Sequence, residues 1–181
     1  MYAKEKNTVV YSAVMEEAQE LRKLIGTYES KESAFLFFLL NNVLKSHAIS
    51  TVFKNEDVLV DRYIFSTLAY QTVMLGEEVV KAIFDTLNIA QSILLPDVIV
   101  FVKADAQTIN DRIDARDGCI QWYGDVITQN YCVETAYKKI FQWFNIPIVE
   151  VDTSQKRGRS IGENYQQMKE QVESVLAGVC N

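Results

Sequence analysis

The chain has 181 residues, 49% of them apolar, which is enough for one domain with a sizeable buried core. Its 18 basic and 24 acidic side chains leave a formal charge of −6, so nothing in it favours a nucleic-acid or anionic-membrane partner. Three scattered cysteines, Cys119, Cys132 and Cys180, with His47 the only histidine, argue against a disulfide framework or structural zinc and fit reduced thiols in a cytoplasmic protein.

Residues 1–7 read as the end of a helix and a polar turn, without the apolar core of a signal peptide. Thr8-Val9-Val10-Tyr11-Ser12 reads as a strand. Glu16 to Ile25 predicts an amphipathic helix with Leu21, Leu24 and Ile25 on one side, ended by Gly26. Lys31 to about Ser50 predicts a second helix, apolar nearly all round through Phe35, Leu36, Phe37, Phe38, Leu39 and Leu40 and therefore buried deep. The run Ala34 to Leu40 falls far short of the ~20 residues that cross a bilayer, so no membrane partner is expected.

A strand follows at about 57–61, and Ser66 to about Ile93 reads as helix with a break near Gly76. Pro96 opens a strand over 98–103, and Asp105 is a good N-cap for the next helix. On that helix Arg112 and Arg116 share one face. Unaided, they read as surface partners of Asp111 and Asp114, or as cations offered to phosphate oxygens. Gly118 to Asp125 reads as a loop, a helix is predicted over 129–144, and the last strand runs Ile146 to Asp152. Ile161 to Leu176 closes the chain as an amphipathic helix with Tyr165, Met168, Val172 and Leu176 inward. With no linker, repeat or low-complexity tract, residues 1–181 are expected to form a single domain.

The chemistry gathers in Asp57-Val58-Leu59-Val60-Asp61-Arg62-Tyr63-Ile64-Phe65-Ser66-Thr67-Leu68-Ala69-Tyr70-Gln71. A run of strand formers ends abruptly in Asp61-Arg62, and open α/β sheets bind ligands outside the C-terminal ends of their strands. Arg62 offers a planar fork of donors suited to a phosphate, while Asp61 could hold a metal-bound water or accept a proton from a nucleophile. An ordinary ion pair at a strand end is the plain alternative. The Gln71 amide can both donate to and accept from a pyrimidine edge, though a solvated glutamine would look the same. Phe38 is either a base-stacking ring or a core aromatic.

Asp61-Arg62-Tyr63-x-x-Ser66-x-x-Ala69-Tyr70-Gln71 resembles the central motif of the thymidylate kinases, P-loop enzymes that move the γ-phosphoryl of ATP onto thymidine monophosphate. Pro96-Asp97-Val98-Ile99-Val100-Phe101-Val102-Lys103-Ala104-Asp105, followed by Ile109-x-x-Arg112-Ile113-x-x-Arg116, resembles the family's fourth strand and the helix leading to its arginine-bearing lid. The resemblance spans most of residues 8–177. It implies a three-layer α/β/α fold with a parallel sheet of the P-loop kinase type, its first strand and P-loop absent. It also implies dTMP as substrate, ATP and Mg²⁺ as cofactors, and a homodimer for which Ala34 to Val43 would be a reasonable contact. In its terms Arg62 positions phosphate and Asp61 stands near Mg²⁺. Phe38, Tyr70 and Gln71 line the nucleoside pocket with Asn42, Tyr63 and Ser66, while Arg112 and Arg116 reach the transferring group. Tyr137 sits where the family has a tyrosine.

Several phosphate-handling features of that family are missing. No Gly-x-x-x-x-Gly-Lys-[Ser/Thr] string occurs, although a P-loop kinase needs its N–H cradle, lysine and hydroxyl. Gly158-Arg159-Ser160-Ile161-Gly162 is glycine-spaced but follows the last strand and lacks the lysine. The family's Asp-Arg pair on the second helix is Asn41-Asn42 here, which removes a cation whose pairing is worth about 1.5 to 3 kcal/mol. The Arg-Glu-Pro-Gly segment is replaced by Ser12-Ala13-Val14-Met15-Glu16-Glu17, and the lid stretch holds Trp122 and Tyr123 but no lysine or arginine.

The family's middle strand, in the order 2-3-1-4-5, is also absent, so strands 57–61 and 98–103 would have open edges. Either the two halves close up, or another chain inserts a strand, or the coding sequence starts further upstream. Two functions are therefore expected. One is phosphoryl transfer to dTMP or a related pyrimidine monophosphate; the other is a catalytically inactive relic that binds a nucleotide or a partner protein.

Overall fold

The computed structural model describes residues 8–26, 30–54, 56–115, 126–155 and 158–179. They fall into two compact units, one drawn from the chain up to Leu95 together with Ala136–Ile140, the other from Pro96–Thr135 and from Phe141 onward.

In the first unit β1 (Val9–Tyr11) runs parallel to β2 (Val58–Val60), with Val9 opposite Val58 and Tyr11 opposite Val60. Their β-branched residues suit a pleated surface, and parallel strands require a long crossover between them. That crossover is a 3₁₀ turn (Glu16–Ala18), α1 (Gln19–Gly26) and α2 (Lys31–Val52). Ser30 caps α2 by accepting from the Ser33 amide at 3.1 Å.

One expectation is corrected here. The inner side of α2 buries Phe35, Phe37, Leu39 and Ile49, but also Asn41, Asn42, Lys45 and Ser46. Leu36, Leu40 and Leu44 are about half exposed, at 56%, 53% and 50%. The polar residues can go inside because the neighbouring loops and helices offer them partners, and the leucine row is then left on the outer face. In α1, Leu21 and Leu24 are exposed, Ile25 is half-buried and no residue is fully buried.

By length and composition α2 could cross a membrane. The hydrogen bonds of Asn41, Asn42, Lys45 and Ser46 within this unit mark it instead as a core helix.

After β2 the chain forms α3 (Ile64–Leu75), α4 (Glu77–Thr86) and α5 (Ile89–Ser92). The break at Gly76 has φ 92°, a conformation glycine adopts without strain, as its position in the sequence predicted. Ile64, Leu68, Ala69 and Val80 are wholly buried and form the centre of this unit.

In the second unit β3 (Ile99–Lys103) runs parallel to β4 (Ile148–Asp152), with Ile99 opposite Ile148 and Lys103 opposite Asp152. Around them are α6 (Ala106–Asp114), α7 (Val126–Phe141, of which Ala136–Ile140 belong to the first unit) and α8 (Ile161–Val179). Asp105 caps α6 as expected, accepting from the Thr108 amide at 2.9 Å. Ser160 and Glu163 form a reciprocal capping box at the start of α8.

Among the described residues the four strands make two parallel pairs, β1 with β2 and β3 with β4. Parallel strands are ordinarily covered on both faces, yet Val10, Leu59 and Val102 are 54%, 40% and 58% exposed.

Candidate functional site

Both strands of the first unit run in the same direction and release the chain at the same end. The Asp61 amide donates to the Tyr11 carbonyl at 2.8 Å, which carries the pairing one step past β2. The next residue, Arg62, has φ 59°, in the left-handed region that side-chain-bearing residues seldom occupy. Tyr63 is buried and extended, and its carbonyl accepts from the Ser66 and Thr67 amides at 3.0 and 3.3 Å as α3 begins. A sharp corner therefore leaves the Asp61 carboxylate and Arg62 guanidinium exposed at the strand end.

The Arg62 guanidinium carbon lies 5.4 Å from the centre of the Tyr70 ring, a cation over an aromatic face. The Tyr70 ring meets Tyr137 of α7 edge-on at 6.5 Å between centroids. Tyr137 donates its hydroxyl proton to Ser66 Oγ at 2.6 Å. Ser66 and Tyr70 are four apart on α3 and so present one face to Tyr137. Burial pushes the Tyr137 phenol up to about 12, which keeps it a donor at neutral pH. Burial alone would lower the Arg62 pKa, but its tyrosine neighbours and Asp61 carry it above the ordinary value. Gln71 is 2% exposed, and its Oε1 has no hydrogen-bond partner among the described residues.

The other wall is α2. Asn41 Oδ1 accepts from the Met15 amide and its Nδ2 donates to the Ala13 carbonyl, both at 3.1 Å, pinning the loop after β1. Lys45 Nζ donates to that same Ala13 carbonyl at 2.9 Å and to the Arg62 carbonyl at 3.2 Å. Burial pulls the Lys45 pKa down to about 8, with Asp61 opposing the shift. Asn42 is 2% exposed, and its Nδ2 donates to Thr67 Oγ1 at 2.8 Å, which ties α2 to α3. Phe38 is half-buried, with its ring edge-on to Phe37 at 5.1 Å.

Of the residues expected at the site, the first unit therefore holds Phe38, Asn42, Asp61, Arg62, Tyr63, Ser66, Tyr70 and Gln71. Lys45 was not foreseen, and Asn41 was noted only as half of the pair that replaces the family's Asp-Arg, although two asparagines and a lysine close together on an apolar helix were the available signal. Arg112 belongs to the second unit, where its Nη1 donates to Thr153 Oγ1 at 3.0 Å and its Nη2 to the Thr153 carbonyl at 2.8 Å. It thus bonds the loop after β4 rather than a neighbouring aspartate. Arg116 and the Gly118 to Asp125 loop lie outside the described residues.

No group of three or more His, Cys, Asp or Glu gathers among the described residues. Asp61 alone suits Mg²⁺, a cation that takes one or two carboxylates and fills its shell with water and phosphate oxygens. No glycine-rich cradle follows β1 or β2, so the described residues fit an ATP triphosphate poorly.

Residues 12–161 match the family model described as thymidylate kinase. No curated protein matches the chain. Among solved structures the chain is similar to a deoxyadenosine kinase from M. mycoides, described with products dCMP and a flexible dCDP bound. That likeness has a TM-score of 0.63 at 12% identity and covers 97% of this chain and 90% of the other. It is a likeness of fold, and it gives this chain an α/β fold of the P-loop kinase type.

Proposed function

The chain belongs to the thymidylate kinase family, and from that premise we propose that it binds a pyrimidine nucleoside monophosphate, dTMP first, where β1 and β2 end. The observation that carries this reading is the corner at Asp61-Arg62, where the Tyr70 ring steers an exposed guanidinium, while on the same helix the buried Oε1 of Gln71 has no partner among the described residues. In this reading Arg62 forks onto the monophosphate, and Gln71 Oε1 accepts the base N–H that thymine presents. Phe38 stacks on the base, while Tyr63, Ser66 and Asn42 keep the α2 and α3 walls in register.

The family resemblance implies transfer of the γ-phosphoryl of ATP to a monophosphate oxygen, for which the described residues supply no triphosphate cradle. Bound Mg²⁺ would neutralise charge on the phosphates, and Asp61 is the residue that would hold it through its water shell. By the family resemblance, Arg112 and Arg116 would serve the transferring group. We place the protein in the cytoplasm as a single functional domain. We also assign the Leu36, Leu40 and Leu44 row to a homodimer contact.

One observation favours a second reading, in which the chain binds a nucleotide or a partner protein without catalysis. Neither a P-loop lysine nor the helix arginine replaced by Asn42 is present, and charge stabilisation on the phosphates supplies most of the catalysis in this reaction class. Calorimetric titration with dTMP, paired with an assay of ATP-dependent dTDP formation at high protein concentration, separates the two. Turnover supports the kinase reading, binding without turnover supports the second, and the absence of both contradicts the nucleotide site.

A further inference from the structure

Lys45 has no role in the reading above. No part of it is exposed, and among the described residues no carboxylate lies within ion-pair distance of its ammonium. Burying a charge in that way is unfavourable unless the group does something that an apolar residue would not. Its hydrogen bonds indicate what that is. The Ala13 carbonyl belongs to the loop after β1, the Arg62 carbonyl to the corner after β2, and Lys45 reaches both from one turn beyond Asn42. The second carbonyl belongs to the one residue at this strand end whose backbone is left-handed.

We propose that Lys45 is the positioning residue of the candidate site. By gripping the Arg62 carbonyl it holds residue 62 at positive φ, and that backbone aims the guanidinium at Tyr70 and the open end of the strands. The inference rests on the monophosphate reading for what Arg62 does, but not for how Arg62 is held. The lowered pKa agrees with the burial, since an ammonium drawn out of water gives up its proton more easily.

The backbone claim can be tested without any ligand. Arg62→Gly and Arg62→Ala are each made in the full chain, alone and combined with Lys45→Met, and their denaturation midpoints in urea are compared. Glycine adopts positive φ freely, whereas alanine does not. With Lys45 present, Arg62→Gly is expected to have the higher midpoint. With Lys45→Met the order is expected to vanish or reverse, because a released residue 62 returns to ordinary φ, where alanine is favoured. An unchanged gap in both backgrounds overturns the proposal. If Lys45→Met does not fold, Lys45→Gln takes its place, since its side chain is one bond too short to reach the Arg62 carbonyl.

A second readout separates positioning from general support. Lys45→Met is expected to weaken dTMP binding by the same factor as Arg62→Ala, about tenfold or more for one charge-assisted hydrogen bond. In the Arg62→Ala background it is expected to weaken binding no further. Additive losses overturn the positioning role. If the wild-type chain binds no dTMP, the nucleotide reading fails and the glycine-alanine comparison alone decides the role of Lys45.

Discussion

Arg62 holds its guanidinium carbon 5.4 Å from the centre of the Tyr70 ring, on the helix that begins immediately after the Asp61-Arg62 corner. A cation over an aromatic face is worth about 0.5 to 2 kcal/mol, depending on how dry the pair is. Tyr70→Leu removes the face and lets the guanidinium wander. Its dTMP affinity, measured by calorimetry, is expected to fall by roughly 2- to 30-fold, the equivalent of that energy. Tyr70→Phe keeps the ring and is expected to lose less. Equal affinities in Tyr70→Leu and the wild type would mean that the ring does not orient Arg62 for binding.

Tyr137 and Ser66 are joined by one part-buried hydrogen bond of 2.6 Å. Tyr137→Phe leaves the Ser66 hydroxyl without that donor and is expected to cost about 1 kcal/mol, read as a lower urea midpoint at unchanged slope.

The same tyrosine carries a pH signature. Its folded pKa of about 12 stands above the unfolded value of about 10. The neutral phenol therefore favours the folded state fully below pH ~10, and that contribution drains away as pH rises from there towards 12. Denaturation midpoints above pH ~10 are expected to fall less steeply for Tyr137→Phe than for the wild type. Parallel curves would place this phenol in water.

Lys45 moves stability the other way. Its folded pKa of about 8 lies below the unfolded ~10.4, so between these values the unfolded chain binds more protons. Stability from this group is present above pH ~10.4 and is lost as pH falls through about 8. Between pH ~8 and ~10 the wild-type urea midpoint is expected to rise relative to that of Lys45→Met. A flat difference between the two would mean an ammonium that titrates as in water.

The exposed leucines of α2 recur every fourth residue, at Leu36, Leu40 and Leu44. Such a row on one helix face is the kind of surface a symmetric dimer buries on both sides. Sedimentation of the wild-type chain is expected to give a dimer, and Leu40→Glu a monomer with unchanged circular dichroism. A wild-type monomer at the same concentrations rejects this contact.

What the sequence made legible was local chemistry. The valine-rich strands, the Gly76 break, the Asp105 cap and the corner at Asp61-Arg62 follow from side-chain periodicity and turn residues within a few positions. The burial of α2 was not legible in the same way, because a helix apolar on every side gives no direction to its inner face. Asn41, Asn42, Lys45 and Ser46 settled that direction through partners 17 to 48 residues away. The Thr153 partner of Arg112, 41 residues on, escaped notice for the same reason. The outward Leu21 and Leu24 show the limit of a moment argument, which finds an apolar side but not the layer that would cover it.

The most direct measurement of the site at the end of β2 is calorimetric titration of dTMP into the full chain and, beside it, into Arg62→Ala. The expected result is one-site binding to the wild type, weakened about tenfold or more by the substitution. Absence of binding, or the same affinity in both proteins, would contradict a monophosphate site built on Arg62.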